Sequence, residues 1–156
     1  MDLIEQLKGT RTLLIVNDPM FLDEMELAFE EADLHLEAYD SAEYVMQAVD
    51  LDQYDAIICC NELSGIKGLE FFRRIRRDHP HTIKILCGES SDAAVVAETY
   101  KNRIHDFLLK PFPFKILLAT LCMHMRNRRH AAHGRQAERP RKAHCTAPGD
   151  AQWQIS

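Results

Sequence analysis

Five short apolar runs, each followed by a stretch of helical period, constrain this chain more than any other feature. TLLIV (12–16) is continuously apolar and leads into Asn-Asp-Pro. FLDEMELAFEEA (21–32) then sets Phe21, Leu22, Met25, Ala28 and Phe29 on one helical face. The alternation recurs: LHLEAY (34–39) precedes SAEYVMQAV, DAIICC (55–60) precedes GLEFFRRIRRD, TIKILC (82–87) precedes SDAAVVAETYK, and HDFLL (105–109) precedes FKILLATLCMHM. Strands apolar on both faces and separated by helices pack as a parallel sheet covered on both sides. The expected class is therefore α/β, with a doubly wound five-stranded parallel sheet.

The chain has 156 residues and is 46% hydrophobic, room for one domain with a real core and a tail. The expected division is an N-terminal extension (1–10), the αβ domain (11–126) and a basic tail (127–156). The first residues, MDLIEQLKGTR, lack the apolar run of a signal peptide, and no run reaches the roughly 18 apolar residues of a membrane span, so a cytoplasmic location and no membrane partner are expected. Cys59, Cys60, Cys87, Cys122 and Cys145 contain no CxxC pair, which suggests reduced thiols over a disulfide framework or a zinc site. Charge is split: from Arg126 onward seven Lys/Arg face only Glu138 and Asp150, a net of +5, against −10 for the preceding residues.

In doubly wound sheets the site crevice lies beyond the carboxyl ends of the strands. The residues that fall there are Asn17 and Asp18 after the first strand, Cys60 and Asn61 after the third, Gly88 to Ser90 after the fourth, and Lys110 after the fifth. The stretch YDAIICCNELSGIKG poses the sharpest question, because its buried strand ends in two thiols just before a polar, glycine-punctuated loop.

The order of elements, GLEFFRRIRRDHP after the third strand, and FLLKPF closing the fifth resemble the receiver domain of bacterial two-component response regulators, a flavodoxin-like (βα)5 fold. The resemblance covers roughly residues 11 to 125. The stretch from Gly68 to Asp106 is especially similar to receivers that carry cyclic-di-GMP phosphodiesterase output domains. In such receivers, the resemblance implies, a histidine kinase donates a phosphoryl group to an aspartate ending the third strand. A magnesium ion is held by that aspartate and an acidic pair after the first strand. A Ser/Thr hydroxyl after the fourth strand and a lysine after the fifth meet the phosphoryl oxygens.

Carried onto this sequence, the phosphoacceptor position falls on Cys60. An ungapped match of TLLIVNDP puts Val16 and Asn17 at the two acidic positions with Asp18 just after them; a slip of one residue restores a single acid, Asp18, beside Asn17. Magnesium wants charged oxygen ligands, so its binding is expected to be weak or absent, and no other metal or cofactor is expected. The hydroxyl position falls on Gly88 counted forward from Cys60, or on Cys87 counted back from Lys110. Ser64 replaces the usual loop proline. Gly68, Phe107, Lys110 and Pro111 keep the receiver pattern.

Each of these positions has a purely structural reading as well. Lys110 can pair with Asp18, Glu62 or Glu89. Phe107 can be a rotamer switch or fixed core. Cys60 can be a reactive thiol activated by Lys110 or an inert small hydrophobe. No nucleophile with a positioned base and no glycine-rich phosphate loop is visible, so an enzyme is not expected. The resemblance implies a docking face made by the fourth helix, fifth strand and fifth helix, for a histidine kinase, an output protein or a second copy. Val95, Val96, Thr99 and Tyr100 would be either an exposed patch there or sheet-facing core.

The tail lacks apolar period and is expected to be disordered after the fifth helix; with Trp153 its only aromatic residue, nucleic-acid binding is not expected. His130, His133, His144 and Cys145 fit no established metal spacing. The expected function is thus a stand-alone, atypical receiver acting as a phosphorylation-independent protein-interaction module. The alternatives are a working phosphorelay receiver with a non-standard acceptor such as Asp18, and a thiol redox sensor through Cys60.

Overall fold

The computed structural model describes residues 2–90 and 92–144, with side chains up to residue 131. The elements run α1 (Leu3–Gln6), β1 (Arg11–Ile15), α2 (Pro19–Glu31), β2 (His35–Tyr39), α3 (Ala42–Ala48), a 3-10 turn (Leu51–Gln53), β3 (Ala56–Cys60), α4 (Gly68–Ile75), β4 (Ile83–Gly88), α5 (Ala93–Lys101), β5 (Asp106–Leu109) and α6 (Phe114–His144). All five strands are parallel, in the order β2-β1-β3-β4-β5. The order reverses at β1, so the crevice of a doubly wound sheet opens beyond β1 and β3.

Local chemistry sets the helix starts. Asp18 caps α2, its carboxylate accepting from the Met20 and Phe21 N–H groups, and Pro19 occupies the first turn, where no N–H is needed. Ser41 caps α3 and Asp92 caps α5 in the same way. In α4 the spacing places Phe71, Phe72 and Ile75 on the buried face. Arg73 and Arg74 lie outside, bonded to Glu70 at 2.7 and 2.9 Å.

Side-chain parity along the strands divides the core. Leu13, Ile15, Ile57, Cys59 and Leu86 join Val45 of α3 and Phe71 and Phe72 of α4 in one cluster. Each of these phenylalanines, fully buried, contributes roughly 2–3 kcal/mol. Residues of opposite parity, Leu14, Ile58, Cys60, Ile85 and Cys87, face the other side, where α2 buries Met25 and Phe29 and the start of α6 buries Leu117, Leu118 and Leu121. Cys59 and Cys60 therefore point into different layers.

Residues 2–10 pack onto this body. Leu7 is buried, the Lys8 ammonium donates to the Ala32 carbonyl at 3.1 Å, and the Cys122 thiol donates to the Leu3 carbonyl at 3.4 Å. The chain divides into two compact units, Met1–His124 and Met125–Ser156. In the second, the backbone is helical as far as His144, where the sequence analysis expects disorder from about 127. Alanine and arginine dominate this segment and favour helix without any apolar stripe. Cys145 and Trp153 lie outside the described residues. No described helix is long and apolar enough to cross a membrane.

Candidate functional site

The carboxyl ends of β1, β3, β4 and β5 meet at one edge. Val16, the residue after β1, is buried and donates its N–H to the Tyr39 carbonyl at 3.0 Å, so it continues the sheet instead of offering a ligand. The Asn17 amide donates to the Glu62 carbonyl at 3.1 Å and accepts from the Ser64 hydroxyl at 3.1 Å. It fastens the loop after β1 to the loop after β3.

Asn61 organises that second loop. Its N–H donates to the Cys87 carbonyl at 2.8 Å, its side-chain oxygen accepts from the Leu69 N–H at 3.0 Å, and its carbonyl accepts from Leu63 at 3.0 Å. Gly68 is required here by close approach: a Cβ would lie 2.5 Å from the Cys60 carbonyl oxygen. Glu43 of α3 accepts from the Ile66 N–H at 2.7 Å, and that bond holds its carboxyl below the usual range.

At the centre, Cys60 and Cys87 are register partners on β3 and β4 with sulfurs 3.1 Å apart. Lys110 Nζ stands 3.8 Å from Cys60 Sγ, lies 4.5 Å from the centre of the Phe21 ring, and has Asp18 and Glu89 carboxylate oxygens at 3.9 Å each. Those two contacts are electrostatic, too long for hydrogen bonds. The Lys110–Pro111 peptide is cis. The bond between the two thiols pulls the Cys60 pKa down; burial opposes this, and the Lys110 charge assists it. The same bond and burial push Cys87 well up, and burial pushes Cys59 well up.

Of the three carboxylates proposed by sequence for Lys110, the structure brings up Asp18 and Glu89. Glu62 instead accepts from the Glu89 N–H at 3.1 Å. A shallow crevice of about 390 Å³ opens beside Lys110, walled by Asp18, Phe21, Glu24, Glu89 and Pro111 among others. Three carboxylates against one ammonium make its mouth unwelcoming to anions.

Gly88 and Phe107 are neighbours. A Cβ on Gly88 would meet the Phe107 ring at 3.5 Å and Glu62 at 3.0 Å, and Phe107 packs against the core cluster. Of the two candidates for the hydroxyl position, Gly88 thus adjoins the aromatic and Cys87 adjoins Cys60. On α5, Val95 packs on the core and Thr99 is fully buried. Tyr100 is the exposed member, its hydroxyl donating to Asp106 at 2.9 Å. Glu43 carries no sequence signal for its loop-setting bond, and Asn61 carries only its place in the expected crevice, just past an apolar strand.

A parallel sheet of this order, with its polar groups gathered beyond the carboxyl ends of the strands, defines a flavodoxin-like doubly wound α/β protein. The family model for the response regulator receiver domain matches residues 13–122, and the chain belongs to that family, the receivers of two-component signalling. It is similar to the C4-dicarboxylate transport transcriptional regulatory protein DctD of Pseudomonas aeruginosa, 27% identical over 109 residues, covering 70% of this chain and 24% of DctD. It is also similar to the DNA-binding transcriptional regulator NtrC of Klebsiella pneumoniae, 24% identical over 124 residues, 80% of this chain and 25% of NtrC. The chain spans about a quarter of the length of these curated relatives. Among solved structures, a CheY-like receiver domain protein from Methanospirillum hungatei shares the fold with a TM-score of 0.72 at 15% identity, covering 78% of this chain and 98% of the other.

Proposed function

We propose that this receiver has given up aspartyl phosphorylation and acts as a protein-interaction module in bacterial signalling. One observation carries the reading: a buried thiol, Cys60, stands 3.8 Å from the lysine that in receivers pairs with an acyl phosphate. A thiol in place of the carboxylate removes the acceptor oxygen, and its surroundings offer no replacement close by. Val16 is apolar and buried, and the Asn17 amide is committed to Glu62 and Ser64. Asp18 divides its oxygens between the cap of α2 and Lys110. This set does not suit magnesium, a hard cation that wants several charged or neutral oxygens in octahedral array.

With Gly88 in the hydroxyl position and Phe107 packed on the core, a phosphate-driven rotamer change also lacks its parts. Lys110 is then a cation held loosely by Asp18 and Glu89, with no phosphate to meet. The chain performs no catalysis of its own, works in the cytoplasm, and meets its partner through α5, β5 and α6. Those elements contribute Tyr100, Leu109, Ile116 and Met123 to its exposed large apolar side chains. The partner is a histidine kinase, an output protein or a second copy; membranes and nucleic acid are not partners.

Incubation with acetyl phosphate and magnesium, followed by intact mass measurement, tests the loss of phosphorylation. No phosphoryl adduct is expected. Stoichiometric labelling would overturn the reading, and labelling confined to Asp18, whose carboxylate lies 3.9 Å from Lys110, would establish the phosphorelay alternative.

A further inference from the structure

We propose that Cys60 and Cys87 form an oxidation site for small uncharged hydroperoxides, in which Cys60 is the thiol that attacks the peroxide and Cys87 the resolving thiol, closing a disulfide between β3 and β4. The inference goes beyond the interaction-module reading and stands on the thiol geometry alone. Cys60 and Cys87 are direct register partners on adjacent parallel strands, so their side chains leave the same face of the sheet. Neighbouring strands lie about 4.8 Å apart, inside the range of about 4.4–6.8 Å that disulfides span between Cα atoms. The sulfurs are already 3.1 Å apart. An approach of about 1 Å completes the bond, a movement within reach of side-chain rotation.

The pair is chemically unequal. Lys110 Nζ is 3.8 Å from Cys60 Sγ, so its charge stabilises a thiolate there, and Cys87 Sγ, 3.1 Å away, is within reach to donate to it. Cys59 cannot compete, because it faces the opposite core layer among Leu13, Ile57 and Phe71.

The chemistry balances without any further reactant. The Cys60 sulfur attacks one oxygen of the hydroperoxide; an S–O bond forms, the O–O bond breaks, and the alcohol or water that leaves carries the thiol's proton. The Cys87 sulfur then attacks the Cys60 sulfenic sulfur; an S–S bond forms, the S–O bond breaks, and water leaves with the Cys87 proton. Two thiols lose two electrons in all, and the peroxide gains them.

A neutral hydroperoxide is the substrate class that fits the approach. The crevice beside Lys110 is walled by Asp18, Glu24 and Glu89, which repel an anionic oxidant and leave a neutral one unaffected. Closure would tighten the β3 and β4 ends, and the Asn61 N–H already bonded to the Cys87 carbonyl would carry that change into the loop before α4.

The test treats the full chain with hydrogen peroxide and maps thiols and linkages by peptide mass spectrometry, with fragmentation resolving Cys59 from Cys60. Sulfoxide formation at Met20, which is 76% exposed, serves as the control for peroxide delivery. The expected result is one intramolecular Cys60–Cys87 disulfide, reversed by dithiothreitol. Cys87→Ala should accumulate a dimedone-trapped sulfenic acid at Cys60, and Cys60→Ala should give neither product, each variant first checked for an unchanged circular dichroism spectrum. Lys110→Met should slow Cys60 oxidation roughly threefold to tenfold. Oxidised Met20 alongside intact Cys60 and Cys87 thiols would overturn the proposal, as would a linkage through Cys59, Cys122 or Cys145.

Discussion

The sheet holds two largely buried lysines at opposite ends, and their surroundings differ in kind. Lys84, near the amino end of β4, is 1% exposed, and its ammonium donates only to backbone carbonyls, those of His79 and Thr82. Burial pushes its pKa down to about 8. Lys110, at the carboxyl end of β5, has two carboxylates at long range, an aromatic face and a thiol. The carbonyl cage fixes Lys84 as a structural cation with no room for a ligand. Lys110 is bound loosely by groups that are 42% and 65% exposed, so its charge remains available to whatever sits beside Cys60. In the same fold, charge at the amino end is closed off and charge at the carboxyl end is left open, as the crevice rule for doubly wound sheets requires.

Substitutions at the two ends can sharpen or break that contrast. The largest effect is expected at the carboxyl end from Gly68→Ala, whose Cβ would lie 2.5 Å from the Cys60 carbonyl oxygen and 2.9 Å from Leu86. Backbone cannot yield cheaply, and a loss of about 3 kcal/mol in urea unfolding is expected. A loss below about 1 kcal/mol would mean that the loop before α4 is looser than its hydrogen bonds imply.

Next comes Lys84. Its folded pKa of about 8 lies below the ordinary 10.5, so between those values the unfolded chain holds a proton that the folded chain has released. Stability contributed by this group therefore rises with pH across that window. The difference in unfolding free energy between the natural chain and Lys84→Met should shift by about 2 kcal/mol in favour of the natural chain from pH 7 to pH 9.5. A flat difference would show that the carbonyl cage compensates burial fully.

At the amino end, Gly9→Ala meets no atom within 4 Å but must hold φ at +84°, so about 1 kcal/mol is expected from thermal unfolding. The smallest effect belongs to Lys110→Met, under about 1 kcal/mol, because its carboxylate partners are solvated. A loss several times larger would make Lys110 as structural as Lys84 and remove the contrast.

The fold was legible in the sequence because each apolar run had to be a strand or a buried helix segment, and their length and spacing left only the parallel sheet. Boundaries moved by a residue: the fourth strand runs Ile83–Gly88 where 82–87 was expected. The site was legible only in part. Cys60, Cys87, Gly88 and Lys110 could be placed near one another by counting, because strand ends are fixed by topology. The partners could not, because they depend on loops. Nothing in the sequence says that Glu62 turns to the Glu89 N–H and away from Lys110, or that Glu43 reaches across to Ile66. The α5 patch resolved by burial, with Thr99 inside and Tyr100 out, a distinction that a single turn of helix does not encode. The helical backbone as far as His144 follows residue propensity in a segment that has no apolar period to announce it.

The central claim, a receiver site without phosphoryl chemistry, is tested most directly by titrating the chain with beryllofluoride and magnesium and following its backbone amide shifts. No change at Asp18, Cys60, Gly88 and Lys110 is expected, because beryllium needs a carboxylate oxygen that the Cys60 thiol does not supply. Saturable shifts clustered on those four residues would contradict the claim and restore a phosphorylated signalling state.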